Sequence, residues 1–111
     1  MKLTSLILLL AAAPLAVQAQ SNAEMKEEAA GILDKSDKAM NQAYQQLLKI
    51  LNEEGQKRLR ESQRAWVAFR DAHCRLEGYE ARGGSMESML YDGCRATLTN
   101  ERTAQLRPAD Q

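Results

Sequence analysis

The feature that most limits the fold is a pair of cysteines on either side of two adjacent glycines. Cys74 lies nine residues before Gly83, and Cys94 lies ten residues after Gly84. If the glycines end one helix and the chain turns back within about three residues, the two helices run antiparallel and the cysteines reach the same height. Only then can their Cα atoms come within the roughly 4.4–6.8 Å that a disulfide needs. The spacing therefore predicts a helical hairpin with Cys74 and Cys94 bonded across it.

An alternative for Cys74 is a reactive thiol activated by His73. Neighbouring residues on a helix point about 100° apart and do not face each other, which disfavours this interpretation. A bridge between Cys74 and Cys94 would instead stabilise a small domain by about 3 kcal/mol, because it restricts the unfolded chain.

The first nineteen residues are typical of a secretory signal peptide. Lys2 precedes an apolar run that ends with small residues at Val17 and Ala19,. The run is shorter than the roughly 20 apolar residues of a membrane-spanning helix, so an uncleaved anchor is the less favoured alternative. No cysteine follows it, which argues against a lipoprotein. We expect cleavage before Gln20 and a periplasmic or secreted bacterial protein without a membrane anchor, where a disulfide can persist.

The charge balance excludes several classes of function. The chain has 15 Lys and Arg against 15 Asp and Glu, and Lys2 is the only charged residue of the predicted leader. The mature chain therefore carries a net charge of −1 and lacks the basic stripe of a nucleic-acid binder. One His and two Cys are too few ligands for a zinc site, so we expect no metal and no cofactor.

Hydrophobic spacing divides the mature chain into three helices. Residues 20–35 are polar and acidic and form either a lead-in or a short helix. A helical domain is predicted over 36–107, with a tail at 108–111, and its first helix is capped by Ser36 or Asp37 and ends at Gly55. The apolar stripe of that helix comprises Met40, Tyr44, Leu47, Leu48 and Leu51,.

The second helix is predicted over residues 56–81 and is the long central helix, with Trp66 and Phe69 anchoring it. Ser85 is expected to cap the third helix, which continues to about Gln105 before Pro108 prevents extension. The fold class is therefore all-α: a small antiparallel bundle of about three helices, with one disulfide across the last helical hairpin.

The Trp66 face of the second helix carries polar residues that invite a functional interpretation. His73 and Glu77 stand at i and i+4, and with Arg70 they could in principle perform acid–base chemistry. The favoured interpretation is structural. Arg70 lays its alkyl stem on Trp66 and pairs with an acid of a neighbouring helix, for which Glu101 is predicted.

Several of these residues together resemble a known family. The pattern covers residues 30–106 and is similar to the lysozyme inhibitor LprI-like N-terminal domain family. The resemblance implies an exported, small helical domain with paired cysteines, and lysozyme as a partner. The residues that carry the motif are Gln63, Arg64, Trp66, Phe69, Arg70, Asp71, Leu98 and Arg102.

The turn between the second and third helices is the candidate partner-binding segment. Its glycines permit close backbone approach, and its polar side chains offer hydrogen bonds to the active-site cleft of a lysozyme. The alternative is an ordinary helix end. A different function, binding another periplasmic protein as an envelope interaction or stress module, is also open. Catalysis is not expected, because no nucleophile, base and orienting group converge. The candidate residues are Arg82, Gly83, Gly84, Ser85 and Met86.

Overall fold

The computed structural model describes residues 15–108, and this part of the chain is helical without strands. Three α-helices follow one another: α1 (Leu15–Ile50), α2 (Glu53–Gly78) and α3 (Glu87–Leu106), with a short 3₁₀ turn at Tyr79–Ala81. The all-α class and the three-helix bundle are thereby confirmed. Residues 1–14 of the predicted signal peptide and residues 109–111 of the predicted tail lie outside the described part.

Helix α1 is longer than the sequence indicated. It contains 36 residues, which is about 54 Å at 1.5 Å per residue. The predicted helix start at Ser36 or Asp37 is wrong: both residues lie inside α1, and Ser36 is buried. Residues 20–35 are thus neither a lead-in nor a separate short helix, because Leu33 and Ser36 continue the buried stripe that includes Met40 and Ala43,.

The connection between α1 and α2 consists of Leu51 and Asn52. Asn52 caps α2, since its Oδ1 accepts a hydrogen bond from the Gly55 amide at 2.8 Å,. Gly55, which was expected to end the first helix, therefore lies in the first turn of the second. The Gln56 side chain donates to the backbone carbonyls of Leu48 and Leu51, at 3.0 and 3.2 Å. Carbonyls at the end of a helix have no partner within the helix, and these hydrogen bonds supply one.

Helix α3 packs against both other helices, and its closest neighbour is α1. Small side chains on both helices permit the close approach, among them Ala43 on α1 and Ala96 and Thr99 on α3. A compact apolar cluster lies near the α1–α2 connection, at the end of the bundle opposite the second turn. Its members are Met40, Ala43, Leu59 and Leu106, with Tyr44, Leu47, Leu48, Leu51 and Trp66 packed against them.

The predicted disulfide joins α2 to α3. The Cα atoms of Cys74 and Cys94 are 5.4 Å apart, as the hairpin argument required,. The turn beyond it differs in one respect from the prediction: Ser85 does not cap α3, which begins at Glu87 after Met86 in the capping position. The side chain of Glu87 takes part in the turn instead, because its Oε2 accepts from the Gly83 amide at 2.9 Å.

Candidate functional site at the hairpin tip

Arg70 is the buried cation at the centre of the molecule, with 5% of its surface exposed. Its Nη1 donates to Asp37 Oδ1 at 3.3 Å and to Thr99 Oγ1 at 3.2 Å, and its Nε donates to Asp71 Oδ1 at 2.9 Å. Its guanidinium carbon lies 5.3 Å from the centre of the Trp66 ring. Arg70 therefore contacts α1, α2 and α3 at once and fixes their relative positions.

The acid partner of Arg70 differs from the one predicted. An acid on a neighbouring helix does pair with it, but this acid is Asp37 of α1, and Glu101 is exposed. The reason is that α1 extends through position 37 beside α3. This brings the carboxylate of Asp37 within 3.3 Å of the Arg70 guanidinium. Asp71 also accepts from Arg95 of α3 at 3.2 Å, which adds a second link between α2 and α3.

Arg102 organises a second polar group on α2 and α3. Its Nε donates to Gln63 Oε1 at 3.1 Å, its Nη2 to Ser62 Oγ at 2.9 Å, and its Nη1 to Gln105 Oε1 at 3.2 Å. These partners are neutral, and burial lowers the pKa of the Arg102 guanidinium below its ordinary value,. The ring of Trp66 is thus close to two arginines, since the guanidinium carbon of Arg102 lies 5.9 Å from the ring centre.

The remaining motif residues divide between interior and surface. Leu98 is half-buried, whereas Arg64 is exposed. Phe69 was expected to anchor α2 beside Trp66, but 58% of its surface is exposed, because it points to the outer face of the helix. There its ring stacks on His73 with centroids 5.6 Å apart.

The predicted His73–Glu77 pair forms on the same outer face, with His73 Nε2 3.3 Å from Glu77 Oε1. The sulfur of Cys94 lies within 4.8 Å of the ligand atoms of both. That sulfur is bonded to Cys74, so it cannot offer the thiolate that a metal requires,. The pair alone falls short of the three protein ligands of a zinc site.

The hairpin tip is exposed and held by short hydrogen bonds. Gly83 has a φ of 74°, a conformation that a residue with a Cβ rarely adopts,. The Gly84 amide donates to the Ala81 carbonyl at 2.9 Å, and the Ser85 hydroxyl accepts from Asn22 of α1 at 3.4 Å. The five candidate residues from 82 to 86 therefore lie together in one turn that touches the first helix.

A groove of about 640 Å³ lies behind this tip, where the three helices meet. Arg82 stacks on Tyr79, with its guanidinium carbon 4.1 Å from the ring centre, and Arg75 lies 5.7 Å from the ring of Tyr91. Lys26 of α1 completes the lining on one side. Sequence reasoning found Arg82 and Gly84 of this lining but missed the rest. Lys26 is about fifty residues from Arg75 along the chain, and no local motif connects the two.

None of the helices within residues 15–108 is both long and apolar enough to cross a bilayer.

Comparison with known proteins places the chain in a family. A protein of Rhizobium meliloti (strain 1021) that has no characterised function is 59% identical over 49 residues, which cover 44% of this chain and 35% of that protein. The match thus spans about a third of the relative's length. No solved structure matches the chain. The family model described as lysozyme inhibitor LprI matches residues 15–106, nearly the whole chain. The chain therefore belongs to the LprI family of lysozyme inhibitors.

Proposed function

We propose that the protein is exported and inhibits a lysozyme by placing its hairpin tip in the active-site cleft of the enzyme. The observation that carries the proposal is family membership over residues 15–106. The family model is described as that of a lysozyme inhibitor, which supports a function by binding rather than by catalysis. Export is supported by the disulfide between Cys74 and Cys94, because such bonds persist in oxidising compartments,.

The chemistry of the tip suits the proposed target. Lysozymes hydrolyse glycans with two carboxyl groups that flank the scissile bond. An inhibitor that occupies the cleft must offer hydrogen-bond donors to those groups, and charge-assisted bonds from arginine are the strongest available. Arg82 is exposed at the tip, and the glycines beside it let the backbone come close to the enzyme,.

Preorganisation also supports the tip as the contact. Gly83 and Gly84 both donate to fixed acceptors inside the turn, and Arg82 Nη1 donates to the Tyr79 carbonyl at 3.3 Å. The disulfide closes the hairpin below. A segment held in its bound conformation loses little entropy on binding, which raises affinity.

Inhibition assays with protein recovered from the periplasm test the proposal. Lysis of cell walls by c-type, g-type and i-type lysozymes is followed with and without the protein. We expect one type to be slowed, Arg82→Ala to weaken this inhibition about tenfold, and Arg82→Glu to abolish it, since a lost charge-assisted bond is worth about 1.5–3 kcal/mol.

Arg58→Ala is the matched control, because Arg58 is an exposed arginine on α2 that pairs only with Glu54. It should inhibit like the unmodified protein. If none of the three lysozyme types is slowed at micromolar excess, the proposed function is wrong. N-terminal sequencing of the same material tests export, with Gln20 expected as the first residue.

A further inference from the structure

Three cations line the groove behind the hairpin tip, against one carboxylate. Lys26 belongs to α1, Arg75 to α2 and Arg82 to the turn, and the carboxylate is that of Glu87. Among the residues from 15 to 108, none of the ion pairs involves any of the three cations. The lining of the groove therefore has an excess of positive charge.

Some cations elsewhere in the described chain have acid partners, since Lys38 pairs with Asp34 at 2.9 Å and Arg58 pairs with Glu54 at 3.1 Å. Others in that part of the chain, such as Lys57 and Arg64, form no ion pair there either. What distinguishes the groove is that its three cations line one volume. In the groove the one lining carboxylate is Glu87, and it already accepts a hydrogen bond from the Gly83 amide. Placing like charges together without partners costs free energy, and such an arrangement is relieved when an anion binds.

The two arginines of the groove are positioned by aromatic rings. Arg82 lies over Tyr79 at 4.1 Å and Arg75 over Tyr91 at 5.7 Å. Arg82 Nη1 donates to the Tyr79 carbonyl at 3.3 Å. The remaining N–H groups of Arg82, and those of Arg75, can donate charge-assisted hydrogen bonds to a carboxylate or phosphate. Ring stacking also limits the side-chain freedom that binding would otherwise remove.

The groove has room for more than a bare ion. Its volume of about 640 Å³ falls in the range of pockets that hold small organic ligands, roughly 300–1,000 Å³,. Ser88 adds a hydroxyl to the lining, which suits the hydroxyl groups of a ligand,. We propose that this groove binds an anionic sugar, with the acid group of the sugar facing Lys26, Arg75 and Arg82. The proposal does not depend on lysozyme inhibition.

Titration calorimetry on the exported protein tests the proposal with matched sugars. N-acetylmuramic acid differs from N-acetylglucosamine by a lactyl carboxylate, and glucose 6-phosphate differs from glucose by a phosphate. We expect at least one acidic sugar to bind at least about tenfold more tightly than its neutral counterpart, since each charge-assisted bond contributes a factor of this order. The pair that shows the difference identifies the acid group.

Substitutions inside and outside the groove test whether the acidic sugar binds there. Arg75→Ala and the milder Arg75→Gln should each weaken binding of the acidic sugar about tenfold, and Arg58→Ala should leave it unchanged. Thermal unfolding of the variants confirms that they are folded. The proposal is overturned if neither acidic sugar binds at about 10 mM, if acidic and neutral sugars bind alike, or if Arg75→Gln binds normally. It is also overturned if the free anion, lactate or inorganic phosphate, binds as tightly as the acidic sugar that contains it. Lysozyme inhibition is measured separately, so either proposal can fail alone.

Discussion

Arg70 combines deep burial with a complete set of partners. Two carboxylates accept from it, and both remain partly in contact with water, Asp37 with 37% and Asp71 with 26% of the side chain exposed. The Thr99 hydroxyl, which is fully buried, completes the set. A buried charge is tolerated only when it is paired and hydrogen-bonded, and these three acceptors provide both conditions.

Removing this side chain should therefore be costly. We expect Arg70→Ala to lower the free energy of unfolding by about 3 kcal/mol, because Asp37, Asp71 and Thr99 all lose a partner and a cavity forms beside Trp66. Arg64→Ala is the matched control six residues earlier, at an exposed position where changes stay within about 0.5 kcal/mol,. Urea unfolding measures both. Equal midpoints for the two variants would show that the Arg70 contacts contribute nothing to stability.

Two glycines differ in how an added side chain should affect the stability of the protein. Gly93 lies inside α3, where an added Cβ would meet nothing within 4 Å, whereas Gly83 has a positive φ in the turn. We expect Gly93→Ala to stabilise the protein by up to about 1 kcal/mol through helix propensity. Gly83→Ala should destabilise it by about 1–2 kcal/mol through backbone strain. Thermal or urea unfolding checks the pair, and a shift of both in the same direction would contradict the assigned backbone conformations.

At the scale of elements, local signals predicted the hairpin but missed the first half of α1. The α2–α3 turn was predictable because Gly83, Gly84 and the two cysteines mark it in the sequence itself. The extent of α1 was not predictable, because the less exposed face of its first half carries little hydropathic signal. Leu33 is buried there, but the other residues of that face are Asn22, Lys26 and Ala29, which are polar or small.

The error in α1 explains why part of the candidate site was missed. With residues 20–35 taken as an uncertain lead-in, the position of Lys26 beside the tip could not be foreseen. It requires α1 to run alongside α3 as far as the turn, where Asn22 meets Ser85. The pairing of Arg70 with Asp37 depends on how α1 packs beside α3, which residue spacing does not give. The sequence indicated the tip residues, but the charged groove behind them depends on how three helices pack.

Across the whole molecule, different interactions stabilise the two ends. The apolar cluster of Met40, Ala43, Leu59 and Leu106 lies near the α1–α2 connection. The opposite end is exposed and is tied by the disulfide and by the polar contacts of the turn. Apolar burial holds one end, therefore, and a covalent bond holds the end proposed to bind partners.

Removing the disulfide should consequently destabilise the end with the hairpin tip more than the end with the apolar cluster. In the double variant Cys74→Ser, Cys94→Ser we expect a loss of about 3 kcal/mol in the free energy of unfolding, the value for closing a loop of this length. Amide hydrogen exchange should accelerate more over residues 79–90 than over residues 40–48, because the apolar cluster remains intact at the second segment. The Gly93→Ala variant serves as a control that alters α3 without touching the bond. If both segments accelerate equally, the disulfide stabilises the bundle as one cooperative unit, and a specially rigid tip cannot explain partner binding.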